Sequence, residues 1–132
     1  MITIVCGPPG AGKTTFVKDH VLWGDLVVDF DKLFSALSFL PEHEKPGNLF
    51  PFVCAARDAI YREIERGDIS RAWVICGGAK RWDRERFLGA RIILLKKTVS
   101  ECLRNLMNDP LRKDKVSLYR PMVEKWWAEY EE

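Results

Sequence analysis

Ile2-Thr3-Ile4-Val5-Cys6-Gly7-Pro8-Pro9-Gly10-Ala11-Gly12-Lys13-Thr14-Thr15 opens the chain with a short apolar run, a glycine-rich turn, and a lysine followed by two threonines. The run from Ile2 to Cys6 is continuous rather than alternating, which suits a strand buried on both faces. The stretch from Gly7 to Thr14 satisfies G-x-x-x-x-G-K-[ST] in full. In that pattern glycines let successive backbone N–H groups point at phosphate oxygens, and the next helix adds its positive N-terminal end.

Working outward, Leu26 to Phe30, Ala72 to Cys76 and Arg91 to Leu95 repeat the first run's character and predict three more buried strands. Between them the spacing turns helical. Val53, Ala56, Ile60 and Ile64 share one face of a helix over 51–66, with Pro51 near its start and Gly67 after its end. Thr98 and Glu101 form a T-x-x-E capping box for a helix that is expected to turn Leu103, Leu106 and Met107 inward. Tyr119, Met122 or Val123, Trp126 and Tyr130 recur at helical spacing and predict a last helix docked on the sheet. Ser38 to Asn48, with two prolines and a glycine, reads as a loop, and Asn108 to Ser117 as a mobile surface segment. Strands alternating with helices predict an α/β three-layer sandwich, a mostly parallel sheet of four to five strands with helices on both faces.

The 132 residues are 47% hydrophobic and 30% charged, which excludes a disordered chain and predicts one domain with a proper core. The net charge of +2 is too balanced to demand nucleic acid through bulk electrostatics, so any basic site is local. Cys6, Cys54, Cys76 and Cys102 are too scattered for a zinc site and read as small buried hydrophobes. Met1 runs straight into Ile2-Thr3-Ile4-Val5 without a basic region or a long apolar one, so a cytoplasmic protein without membrane contact is expected.

Ligands of such sheets bind beyond the carboxyl ends of the strands. There Gly7, Pro8, Pro9, Gly10, Ala11, Gly12, Lys13, Thr14 and Thr15 form the expected ATP cradle: Lys13 reaches the β- and γ-phosphates, and Thr14 offers its hydroxyl to Mg2+. No N-K-x-D guanine-reading sequence is present, and the strand at 73–76 runs into Gly77-Gly78 rather than an acidic residue. The second strand instead ends in Asp29-Phe30-Asp31-Lys32, whose two carboxylates lie two residues apart and face one side if the backbone is extended. Asp29 is then a candidate for Mg2+ and its waters, and Asp31 for orienting an acceptor hydroxyl and taking its proton. The alternative for Asp31 is an N-cap of a helix beginning near Lys32.

The order of strand, G-x-x-x-x-G-K-T, helix and D-x-D resembles the small P-loop kinases, among them phage-type polynucleotide kinases and shikimate kinases. The resemblance implies a P-loop, nucleoside-kinase-like fold over residues 1–132, with an acceptor-side helical region over about 32–67. In polynucleotide kinases the aspartate after the second strand activates a 5′-hydroxyl, which by position implies that role for Asp31. That family keeps an acceptor-phosphate arginine three residues later, where this chain has Phe34; Lys32 and Arg81 are the candidate substitutes. Asp29-Phe30-Asp31 and Cys76-Gly77-Gly78 are similar to the shikimate-kinase acceptor site, which makes Gly77 and Gly78 candidate acceptor contacts. After the fourth strand, 104–117 resembles the basic lid of these kinases, with Arg104 and Arg112 closing over ATP. Arg81 and Arg84, with Trp82 to stack on a base, form a further basic cluster that an amphipathic surface helix explains as well.

The expected protein is therefore an ATP- and Mg2+-dependent kinase acting on a hydroxyl of a nucleotide or nucleic acid, a class that includes phage DNA-modifying kinases. The alternatives are a small-molecule kinase and a nucleotide-binding ATPase or regulatory protein.

Overall fold

The computed structural model describes residues 1–132. Four strands, β1 (Ile2–Cys6), β2 (Leu26–Asp29), β3 (Ala72–Cys76) and β4 (Arg91–Leu94), form one all-parallel sheet in the order β2-β3-β1-β4. Six helices accompany them: α1 (Lys13–His20), α2 (Phe30–Ser38), α3 (Phe50–Glu65), α4 (Arg81–Arg84), α5 (Val99–Met107) and α6 (Val116–Glu129). Short 3₁₀ turns at Gly47–Leu49 and Lys113–Lys115 precede α3 and α6.

Because successive strand residues face opposite ways, β1 feeds two cores. Ile4 and Cys6 join Val28, Ala72 and Val74 under Tyr61 and Ile64 of α3. On the other face Val5, Trp73 and Ile75 pack against Val17 of α1. A third cluster joins Ala11 of the glycine-rich turn to Cys102 and Leu106 of α5 and Val123 of α6. Helices therefore cover both faces of the sheet, the expected three-layer arrangement. Ile4, Val5 and Val74 are at most 2% exposed, and burial of each such side chain contributes roughly 1.5–3 kcal/mol.

Three expectations are corrected at the level of elements. α2 begins at Phe30, inside the predicted second strand, because Asp29 Oδ1 accepts the Asp31 backbone N–H at 3.1 Å and starts the helix there. Asp29, not Asp31, is thus the N-cap. Thr98 does cap α5, its Oγ1 accepting from Glu101 N at 3.1 Å, and Leu103 and Leu106 turn inward as expected, but Met107 does not. Cys102 and Leu106 are buried, while Met107 is 57% exposed. Finally, α6 starts at Val116, inside the stretch expected as a mobile surface segment; of the two residues offered for its inward face, Val123 is the buried one, and Trp126 is buried as expected.

Candidate functional site

β1, β2 and β3 end around a cavity of about 460 Å3. Its floor is the glycine-rich turn, from Pro9 through Thr15. Gly10 has φ of +82°, and a Cβ there would meet the Cys102 carbonyl oxygen at 2.6 Å, so α5 lies directly against the turn. Asn105 Nδ2 donates to Gly10 O at 2.8 Å and fixes that approach. Gly12 caps α1 in the left-handed region at φ of +91°. Lys13 folds back over the turn, its Nζ donating to Gly7 O at 2.5 Å and Pro8 O at 3.3 Å. Burial pushes the Lys13 ammonium below its ordinary pKa, against the pull of Asp31 and Asp29. An anion arriving above the turn would meet a cation already directed by backbone carbonyls.

The opposite wall is built on the carboxyl end of β2. Asp29 is 7% exposed, and burial followed by the charge of Asp31 raises its pKa. Asp31 sits in the first turn of α2, so the pair is not extended as expected, yet both residues line the cavity. Lys45 Nζ lies 2.8 Å from Asp31 Oδ1, and His43 Nδ1 lies 3.0 Å from Oδ2. Burial would raise the Asp31 pKa, but these two partners hold it well below the usual carboxylate range. The third wall comes from the segment before α6. Arg112 Nε bonds Asp109 Oδ2 at 2.7 Å, and its guanidinium covers the Tyr119 ring at 5.5 Å. Lys115 Nζ bonds Glu44 Oε1 at 2.9 Å and ties this wall to the His43–Lys45 loop.

The structure brings together Pro9, Gly10, Ala11, Gly12, Lys13, Thr14, Thr15, Asp29, Asp31, Gly77 and Arg112 around this one cavity. Other candidates stand apart. Gly7 and Pro8 are buried beneath the turn, with Gly7 N donating to Gly77 O at 3.1 Å. Gly78 is buried behind Gly77. Lys32 is exposed and paired with Glu42. Arg81 is exposed and paired with Glu85 at 3.2 Å. Arg84, only 6% exposed, donates to Gly78 O and Ala79 O at 2.7 and 3.0 Å, which makes it a brace for the loop after β3. Arg104 is exposed on α5 and does not line the cavity. Phe34 is fully buried and does not line the cavity.

Sequence reasoning missed His43, Lys45, Asn105, Phe30 and Tyr119. One signal was available for the first two: His43 and Lys45 stand in a proline-flanked loop, and loops carry binding and catalytic residues disproportionately.

No family model matches the sequence, and no curated protein matches it. Among solved structures, the chain is similar to one from the structure of the Pnkp1/Rnl/Hen1 RNA repair complex, with a TM-score of 0.63 and 13% identity. The match covers 98% of this chain and 46% of the other, so this chain spans less than half of that one. At this identity the likeness shows the fold, an α/β arrangement shared with a component of an RNA repair assembly. No helix is long and apolar enough to cross a membrane.

Proposed function

We propose that the protein is an ATP-dependent kinase that transfers the γ-phosphoryl group to a hydroxyl on a nucleotide or nucleic acid. The observation that carries this reading is the convergence of the G-x-x-x-x-G-K-T turn and the Asp31 cluster on one cavity. A nucleotide binder without an acceptor would need only the first. The likeness to a chain of an RNA repair complex supports a nucleic-acid or nucleotide acceptor.

In this reading the backbone N–H groups of the turn and the N-terminus of α1 hold the phosphates of ATP. Lys13 leaves Gly7 O for the β- and γ-oxygens, where its charge is worth most as the phosphoryl group loosens. Thr14 lines the cavity and Asp29 stands across from it, a hard-oxygen set that fits Mg2+, with Thr14 as ligand and Asp29 acting through water. Held there, the ion would supply positive charge against the charge that develops on the phosphoryl group. Asp31 stays ionised, orients the acceptor hydroxyl in line with the leaving bridge oxygen, and receives its proton as the new O–P bond forms. His43 keeps that carboxylate turned toward the cavity. Lys45, with its side chain 42% exposed, is the cation we assign to an acceptor phosphate in place of the arginine that Phe34 replaces. Arg112 supplies positive charge from the third wall.

The test offers γ-labelled ATP and Mg2+ together with 5′-hydroxyl single strands of DNA and RNA, nucleosides and a sugar-acid mixture. Label on a strand or nucleoside supports the reading; label only on a sugar acid, or only in free phosphate, contradicts it.

A further inference from the structure

Two aromatic side chains, Phe30 and Tyr119, line the cavity together with Asp31 and Lys45, the residues assigned above to the acceptor. The two rings come from different elements, α2 and α6.

Phe30, the first residue of α2, lies between the two aspartates in sequence. Its ring is held edge-to-face by Phe34, with centroids at 5.3 Å and an 85° interplanar angle, and by Phe50 at 5.8 Å and 77°. The Arg57 guanidinium sits over it at 5.2 Å. Tyr119 of α6 carries the Arg112 guanidinium at 5.5 Å and is near enough to feel the charges of Lys45 and Asp31. Both rings are half-buried and locked by neighbours, so a planar ligand ordering against them forfeits little side-chain freedom. Rings of this kind bind any base through its π-face without reading sequence.

Resting on the kinase reading, we infer that Phe30 and Tyr119 are specificity-determining residues that hold the nucleobase of the acceptor nucleotide, so that the acceptor is a base-bearing hydroxyl compound and not a sugar or sugar acid.

The experiment measures binding by fluorescence anisotropy, at one fixed salt concentration, of two 5′-hydroxyl single-stranded oligonucleotides. They are identical except that the terminal nucleotide of one is abasic. The intact protein is expected to bind the base-bearing strand about tenfold or more tighter than the abasic one. Phe30→Leu and Tyr119→Leu should each erase most of that difference while leaving abasic-strand and ATP binding unchanged. Phe30→Tyr and Tyr119→Phe keep a ring and should keep the difference, which separates stacking from a folding defect. Equal binding of the two strands, equal weakening of both by the leucine variants, or no strand binding at all would overturn the inference. Base-dependent binding that persists without label transfer from ATP would overturn the kinase reading alone.

Discussion

Lys45 Nζ lies 2.8 Å from Asp31 Oδ1, and this contact crosses from the loop after α2 back to that helix's first turn. With His43 on the other oxygen, the carboxylate is gripped from both sides by one loop, in which His43 itself takes φ of +76°. A non-glycine residue in the left-handed region stores strain, and strain of this sort concentrates at functional sites. The same loop is tied to the lid-like wall through Glu44 and Lys115.

Lys45 and His43 hold the Asp31 carboxyl well below its ordinary range, so Asp31 remains ionised as pH falls through the usual carboxylate values. Removing either partner raises the folded-state pKa. Lys45→Met and His43→Gln should therefore shift the acid limb of kcat/KM for the acceptor to higher pH, as read from a pH–rate profile. A limb that stays in place would show that these partners do not set the charge of Asp31.

Lys13→Ala should lower phosphoryl transfer through a loss of about 3 kcal/mol or more, on the order of a hundredfold in rate. Steady-state kinetics with ATP as the varied substrate reads it. Near-normal turnover would remove the cradle from the mechanism.

The two lid-region arginines should separate. Arg112 lines the cavity and Arg104 does not. Arg112→Ala is expected to cost roughly tenfold or more in kcat, whereas Arg104→Ala should stay within about twofold, since a charge-stabilising arginine acts only where it reaches the transferring group. Equal losses would mean that α5 rotates Arg104 into the site during turnover.

Gly10 and Gly12 both have positive φ, but only Gly10 is crowded, against Cys102 O and Leu106. Gly12→Ala should destabilise by about 1–2 kcal/mol, the left-handed penalty alone. Gly10→Ala adds the displacement of α5, roughly 1–3 kcal/mol more. Urea denaturation of both variants checks the order; a smaller effect at Gly10 would contradict the tight packing of α5 on the turn.

Much of the fold is legible because buried parallel strands write themselves as continuous apolar runs. All four strands lie where those runs fall, and the Thr98 cap sits where its motif does. Phe30 reads as part of β2 because an aromatic residue extends an apolar run, yet the side chain of Asp29 stops the strand one residue earlier. Met107 is misplaced by pattern alone because two phases of α5 carry apolar residues, and only the docking of Cys102 and Leu106 under the glycine-rich turn decides between them. The cradle is local in sequence and so is readable. The Asp31 cluster is not: His43 is twelve residues from its partner, and the left-handed turns at Phe39 and His43 that bring it back have no glycine to announce them. Arg104 stands in a motif-like helix, but the helix presents it to solvent.

The proposed chemistry turns on Asp31 activating an acceptor hydroxyl beside a phosphate cradle. Label transfer from γ-labelled ATP to a 5′-hydroxyl single strand, compared between the unaltered protein and Asp31→Asn with ATP binding measured for both, probes that step. Unchanged ATP binding and a loss of transfer on the order of 10²–10⁴ are expected in the variant, because an amide cannot take the hydroxyl proton. Full transfer by Asp31→Asn would show that this carboxylate does not activate the acceptor.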